Sequence, residues 1–488
     1  MTKQQTTADL RALGRVLPEQ IEVPVEGRDG SLVFSSYARH LPGRRLAGIG
    51  RWQGIPVFIK LFFGHGKIAL IGVTRAKQEF QREIRMSQAL SEGRVSAAEV
   101  LDHGTIEGGG YWLVQELLPQ LKSFKECWKG ANSREQQRQL FAELAELLGQ
   151  LYQSGLYQAD AHQENFAYSD DRLYVLDAGG IKKQHTSSQR VLLKNLALMV
   201  AQFPYPLHRD LMGICSDKLS KTLDIDDVAL AQMVMMAWRQ RMRKLTYKML
   251  RTSSWVSKIK GENVRALCMR REQTPELRNL LSGCHTLDRA IDRGHLLKRG
   301  NSATVARIEL SGRTYVIKRY NLKNHWVAVK RAFGRSRART SWLGGHILHL
   351  MGVPTSVPVA MVEERRWGML RRAYFISTVA SGEDAFHYLP VHGCHKELLH
   401  HFENVFEGLL YTQVSHGDMK ATNLLVDGDQ VAVIDLDAVQ IHASGLMFKR
   451  AIHKDFERFL VNWEKGSELY QTFSFLTQEL LQKYNLRR

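Results

Sequence analysis

YQADAHQENF (157–166) and SHGDMKATNLL (415–425) decide how this 488-residue chain is read. Each sets an aspartate five residues before an asparagine: Asp160 and Asn165 in the first, Asp418 and Asn423 in the second. Working outward, the agreement extends. Twelve residues after each asparagine comes another aspartate, Asp177 in YVLDAGG (174–180) and Asp435 in VAVIDLDAV (431–439). One hundred residues before the first aspartate stands a lysine, Lys60 in VFIKLF (57–62) and Lys318 in YVIKRY (315–320). All four pairs are offset by 258 residues, so the chain carries one pattern twice.

Those residue types are the ones phosphoryl transfer from ATP requires. A lysine grips the α/β-phosphates, one aspartate orients the attacking hydroxyl, and an asparagine and a second aspartate hold Mg²⁺. The spacing lets a loop and a neighbouring hairpin bring oxygen ligands to one cation and the γ-phosphate. Asp and Asn also cap turns for local reasons, but capping does not account for a second copy in register.

The lysine segments are β-branched and aromatic runs that predict strands. Gly54 and Gly312, again 258 apart, fit the tight turn of a hairpin delivering each lysine. That takes Gly54 out of any phosphate loop made with Gly48 and Gly50. The loop over the phosphates belongs one strand earlier, where KRGNSATVAR (298–307) offers a single glycine, Gly300. Residues 135–152 predict an amphipathic helix entering the first loop. Glu83, on a predicted helix with Phe80 and Leu90, is placed to pair with Lys60. YWLVQELLP (111–119) reads as a strand and hinge that bring Gln115 and Glu116 near the adenine. The expected fold is α+β: two tandem protein-kinase-like bilobal domains, 1–250 and 251–488. Each has a sheet-rich N-lobe and a helical C-lobe with ATP between. The polar stretch 252–278 links them or forms the first strand of the second.

Composition fits this reading. The length suggests about 2–4 domains, and 44% hydrophobic residues suffice for buried cores. There is no apolar run of spanning length, and MTKQQTTADLRALGRVL lacks the apolar centre of a signal peptide. Five scattered cysteines without CxxC spacing predict reduced thiols in a cytoplasmic protein. The net charge of +19 is concentrated in two places. From Arg319 to Val362 there are seven Lys/Arg and no acid, and RQRMRKLTYKMLR (239–251) mixes basic residues with Met242, Leu245 and Met249. Either cluster suits an anionic surface, or a solvated helix face in the second case. Without zinc spacing or an RNA-binding motif, nucleic acid is not an expected partner.

YVIKRYN (315–321), MGVPTSVPVAMVEER (351–365), SHGDMKATNLL and VIDLDAVQ (433–440) together resemble the bacterial lipopolysaccharide core heptose/Kdo kinases, over most of residues 285–460. The first half resembles them more loosely through VFIK, DAHQEN and LDAG. The resemblance implies ATP- and Mg²⁺-dependent phosphorylation of an inner-core sugar hydroxyl on lipid A-core glycolipid, at the cytoplasmic face of the inner membrane. It implies phosphate binding by Lys60 and Lys318, catalytic bases in Asp160 and Asp418, and metal binding by Asn165, Asp177, Asn423 and Asp435.

Departures from the pattern differ between the halves. The position 258 residues after Glu83 is Ser341, and no acid lies between Lys318 and Glu363, so the second half lacks that ion pair. The catalytic-loop histidine is His416 in the second half but Gln158 in the first. Ala159 and Gly417 precede the two catalytic aspartates where protein kinases carry arginine, and the segments following Asp177 and Asp435 are short. Both features favour a small or glycan acceptor over a peptide. Two alternatives stay open: a soluble small-molecule kinase of aminoglycoside or choline type, and a kinase–pseudokinase pair serving as an envelope-assembly scaffold.

Overall fold

The structure is a computed structural model that describes residues 6–13, 17–64, 69–106, 108–184, 189–220, 223, 225–261, 263–321 and 334–486. These group into two compact units, residues 1–202 with 209–234 and residues 203–208 with 235–488. Both units mix helix and sheet.

The first unit opens on a six-stranded antiparallel sheet of β1 (Ile21–Pro24), β2 (Ser31–Leu41), β3 (Arg45–Trp52), β4 (Ile55–Phe62), β5 (Val100–Ile106) and β6 (Gly110–Glu116), in the order β1-β2-β3-β4-β6-β5. Gln53 and Gly54, at φ 50° and 79°, make the β3–β4 turn, the left-handed pair that matches strand twist in a two-residue hairpin. Gly48 and Gly50 lie inside β3 instead. There β2 passes so close that a Cβ would fall 2.0 Å from Ser36 O and 2.2 Å from Val33 O. Along β4 the period of two sends Val57, Ile59 and Leu61 into one core. Lys60 and Phe62 therefore face the other way, towards helix α1 (Ala69–Glu92), which packs Ala76 and Phe80 against Phe62. Helix α2 (Arg134–Gln153), capped by Ser133, buries Phe141, Leu144, Leu148 and Leu151. After it, Leu156–Gln158 pairs with Ile181–Lys183, and Phe166–Ser169 with Arg172–Val175. Helix α3 (Gln189–Val200) follows, and α4 (Asp227–Met249) crosses from the first unit to the second at residue 235.

The second unit repeats the plan with additions. Its seven-stranded antiparallel sheet contains β7 (Val256–Lys260), β8 (Val264–Met269), β9 (His295–Arg299), β10 (Ala303–Leu310), β11 (Arg313–Tyr320), β12 (Pro358–Arg366) and β13 (Met369–Thr378), in the order β7-β8-β12-β13-β11-β10-β9. Thus the polar stretch after residue 252 supplies two strands. Ser311 and Gly312, at φ 52° and 70°, repeat the left-handed turn that delivers the lysine strand. Helices Pro275–Leu280 and Cys284–Arg293 cover one sheet face through Leu277, Leu287 and Ile291. Helix α5 (Arg337–Met351) covers the other, where Trp342 and Ala338 meet Tyr320 and Phe375. Helices α6 (Lys396–Thr412), α7 (Gly445–Leu460) and α8 (Glu468–Lys483) enclose an aromatic cluster of Phe402, Phe406, Phe459 and Phe473. Residues 235–249 of α4 belong here, with Trp342 donating its indole N–H to Met249 O at 3.0 Å.

The apolar residues of the 239–251 cluster face inward, while Arg243, Lys244 and Arg251 are exposed. Met242 and Met249 are buried, and burial lowers the Arg241 guanidinium to about 10. Beneath this helix His208 donates from Nε2 to Phe203 O and accepts at Nδ1 from Tyr411 OH, both at 3.0 Å, with its ring edge-on to Trp238. Burial, reinforced by Arg241, lowers its pKa to about 4 from 6.5, so it folds uncharged. The unfolded chain binds this proton more readily. The stability contribution is therefore complete above about pH 6.5 and disappears as pH falls towards 4, about 3 kcal/mol in all. His346, lowered to about 3 by burial, acts in the same direction. His208→Gln is expected to flatten, in part, the pH dependence of denaturation of the second unit between pH 6.5 and 4. An unaltered slope would show that His208 does not carry it.

Candidate active site

In the first unit the strand lysine and the helix carboxylate meet. Lys60 Nζ lies 2.5 Å from Glu83 Oε1, with Arg45 Nη2 3.5 Å from Oε2, and both Lys60 and Glu83 are buried. Burial pushes the Glu83 carboxyl up, but the Lys60 ammonium and Arg45 guanidinium outweigh it and hold the pKa below the usual carboxylate range. Glu83 also abuts the Asp177 turn. A Cβ on Gly179 would stand 2.5 Å from Glu83 Oε2 and 3.2 Å from Asp177 Oδ1, so only glycine allows this approach. Among the described residues Asp177 Oδ1 is buried without a hydrogen-bond partner. Asp160 is exposed, and Asn165 Nδ2 donates to its carbonyl at 2.7 Å. Gln115 and Glu116 bond towards the segment before β5: Gln115 Nε2 donates to Ala98 O at 3.2 Å, and Glu116 Oε1 accepts from Glu99 N at 3.2 Å.

The second unit has a cleft of about 400 Å³ whose lining includes three of its four pattern residues but not Asp418. Lys318, Asn423 and Asp435 line it, as do Ser341 and Arg337 from α5 and Thr378, Val379 and Ala380 at the end of β13. Gly300 sits in the β9–β10 turn, where its N–H donates to Ala303 O and its carbonyl accepts from Asn321 Nδ2, each at 3.0 Å. Its neighbours Lys298 and Ser302 reach the cleft.

Lys318, without an acid on α5, is held by the strand-end carboxylates. It pairs with Asp435 and stands 3.5 Å from Asp437, which Arg337 pairs in turn. Ser341, in the place of Glu83, instead shares a 2.7 Å hydrogen bond with Tyr320 OH. Burial pushes the Asp435 carboxyl up, and the adjacent Lys318 reverses this to leave it below its ordinary value. Asp435 also adopts a left-handed backbone, φ 60° and ψ 58°, whereas Asp177 has φ −115°. Left-handed strain in a non-glycine residue collects at sites where geometry is functional.

The catalytic-loop counterparts differ in how well they are tied. Asn423 Nδ2 donates to Asp418 O at 2.8 Å, the same bond as in the first unit. His416 donates from Nε2 to Ile434 O at 2.9 Å and accepts at Nδ1 from Asp418 N at 3.3 Å, joining the loop to the turn after strand Gln430–Val433 that carries Asp435. Asp455 on α7 accepts from the N–H groups of His416 and Gly417 at 2.7 and 2.9 Å. Burial raises its pKa despite those bonds. In the first unit Gln158 is fully buried and neither side-chain amide atom has a partner, while Asn195 on α3 exchanges two 3.0 Å bonds with its backbone. Arg458 Nε stands 2.8 Å and Lys420 Nζ 3.4 Å from Asp418 Oδ1, close enough to pair charge though not aimed as hydrogen bonds.

Among the described residues no group of three or more His, Cys, Asp or Glu forms an all-protein metal cage. Mg²⁺ sites commonly use one or two carboxylates plus substrate phosphates. Asp435 with the Asn423 amide oxygen, and Asp177 with its unpartnered Oδ1 and Asn165, are donor sets of that kind.

Arg319 pairs with Asp288 at 3.0 Å, Arg337 turns into the cleft, and burial lowers the Arg339 pKa. Arg335 is exposed, and Lys323, Lys330 and Arg331 lie outside the described residues. Sequence reasoning passed over Asp437, Asp455, Asn195 and Arg458, and read Arg337 only as part of the basic block. Asp437 carried a signal, sitting two residues beyond Asp435 in the same strand end.

No family model and no curated protein matches the chain. Among solved structures it is similar to WaaP in complex with acyl carrier protein, at 18% identity over 41% of this chain and 92% of that one, TM-score 0.27. It is also similar to WbdD bound to a kinase inhibitor, at 20% identity over 43% and 46%, TM-score 0.30. A third is the PknI kinase domain of Mycobacterium tuberculosis, at 14% identity over 35% and 72%, TM-score 0.26. At these scores the functional reading rests on the residues of the two sites.

Proposed function

We propose that this chain is an ATP- and Mg²⁺-dependent phosphotransferase built from two tandem protein-kinase-like domains, and that the second domain is catalytic. The supporting observation is the convergence of Lys318, Asn423 and Asp435 on one cleft beside a fully tied Asp418 loop. Thr378 to Ala380 border the adenine end. Lys318 leaves Asp435 to hold the α/β-phosphates, and Arg337 keeps Asp437 from competing for it. Asn423 and Asp435 hold the cation, which supplies charge neutralisation on the phosphates when bound. Asp418 accepts a hydrogen bond from the acceptor hydroxyl and orients it towards the γ-phosphate.

The acceptor in this reading is a heptose or Kdo hydroxyl of the lipopolysaccharide inner core. That rests on the motif resemblance across 285–460 and on the +19 charge, from which a neutral or cationic substrate gains nothing. The first domain is a second kinase for another hydroxyl or a weakly active supporting copy. Its buried Lys60–Glu83 pair favours the former, and the unsatisfied Gln158 the latter.

The division is tested by complementing a strain that lacks this protein and counting core phosphates by mass spectrometry. Asp435→Ala is expected to lose at least one phosphate that wild type restores. If Asp435→Ala restores every phosphate while Asp177→Ala restores none, the first domain is the catalytic one.

A further inference from the structure

The hairpin joining β12 to β13 ends in Glu364-Arg365-Arg366-Trp367-Gly368-Met369, and Trp367 is 77% exposed. Trp367 and Gly368 form the turn with φ 52° and 79°. Two consecutive left-handed residues favour Asn-Gly, Asp-Gly or Gly-Gly, and where the lysine-strand hairpins depart from those pairs they use polar residues, Gln53 and Ser311, before the glycine rather than a bulky aromatic. The corresponding hairpin of the first unit, between β5 and β6, obeys this rule by turning through Gly108 and Gly109, at φ 83° and 90°. Tryptophan at the tip is thus the wrong residue for the turn, and the fold does not use it as core.

The charges around it are equally lopsided. Arg366 lies over the Trp367 ring at 4.7 Å, which leaves its positive charge uncancelled. Arg371 is exposed, and among the described residues neither Arg366 nor Arg371 has an acid within ion-pair distance. The nearby acids are already engaged, Glu363 with Arg365 at 3.2 Å and Glu364 with Arg372 at 3.3 Å. Arg365 also donates to Gly334 O at 3.2 Å, which brings exposed Arg335 beside the same hairpin.

We propose that the Trp367 hairpin is a docking tip for an anionic phospholipid bilayer, with the indole seated at the headgroup level and Arg366 and Arg371 paired to lipid phosphates. Indole rings favour that boundary because they combine an apolar body with one N–H donor. Guanidinium groups are weakly hydrated and bind phosphate in a planar fork. A protein partner would bury an aromatic anchor in an apolar surround, but beside this tip Arg366 and Arg371 have no acid partner among the described residues, so charge complementarity selects the bilayer.

The inference does not depend on catalysis, and its test contains no ATP, so its failure and that of the phosphotransferase reading are separable. The full chain is sedimented with vesicles of phosphatidylglycerol and phosphatidylcholine, and with phosphatidylcholine alone. Wild type should bind the anionic vesicles, and more weakly as salt rises. Trp367→Asn should lower partitioning by about fivefold or more, while raising the melting temperature because Asn-Gly suits the turn. Arg366→Ser with Arg371→Ser should lower it by about 25-fold, each arginine contributing about fivefold. Brominated lipid should quench tryptophan emission in wild type more than in Trp367→Asn. Equal binding by wild type and both variants overturns the proposal, as does binding only when lipid A replaces phosphatidylglycerol.

Discussion

Asp418→Ala is expected to lower phosphoryl transfer by the full chain by about 10²–10⁴-fold, the range for loss of a positioned proton acceptor. The magnitude follows from how the loop is held. Asn423 fixes the Asp418 carbonyl, His416 accepts from its N–H, and Asp455 secures the two preceding amides, so the loop survives removal of the carboxylate. On the proposed reading the acceptor hydroxyl then loses the group that orients it, while Lys318 and Asp435 remain to bind nucleotide. Affinity for ATP should therefore stay close to wild type, and the loss should appear in turnover. Asp160→Ala should cost less, because the first-unit loop lacks the histidine tie. The measurement is ATP-dependent transfer of labelled phosphate to inner-core glycolipid. Full activity in the Asp160→Ala/Asp418→Ala double variant would remove the enzyme reading altogether.

Glu83→Ala carries the other large effect, on stability. Lys60 and Glu83 are 4% and 1% exposed, so removing the carboxylate leaves a buried ammonium, with Arg45 also deprived of its partner. Breaking a buried pair from one side costs about 3–5 kcal/mol, since an uncompensated charge stays in low dielectric. The first unit should unfold at markedly lower urea, while the transition of the second unit stays where it was. Ser341→Ala, the matching change in the second unit, removes one hydroxyl bond to Tyr320 and should cost only about 1 kcal/mol. Should Glu83→Ala and Ser341→Ala shift their units equally, Lys60–Glu83 is not the buried, desolvated pair described above.

Much of the local architecture is legible in the amino-acid sequence alone. The lysine strands, the two-residue turns at Gly54 and Gly312, and the helix over 134–153 follow from local rules. Period-two burial, positive φ at a tight turn and a 3.6-residue apolar repeat all act over a few residues. The Lys60–Glu83 pair is accessible in the same way, because both partners sit on regular elements whose inward faces the apolar pattern already marks.

What escapes the sequence depends on contacts between distant segments. Lys318 chooses Asp435 and Asp437, 117 and 119 residues away, and no local pattern shows that a strand-end carboxylate will stand in for a helix one. Arg337 reads as one more charge in a basic block, yet the fold turns it towards Asp437. Asp455 and Asn195 acquire their roles only where α7 and α3 pass beneath the loops they tie. The 258-residue offset by itself determined that two copies of one site pattern exist. Tertiary structure alone decided how each is wired, because an ion pair is selected by which charges packing leaves together away from water, and that is a property of the folded chain.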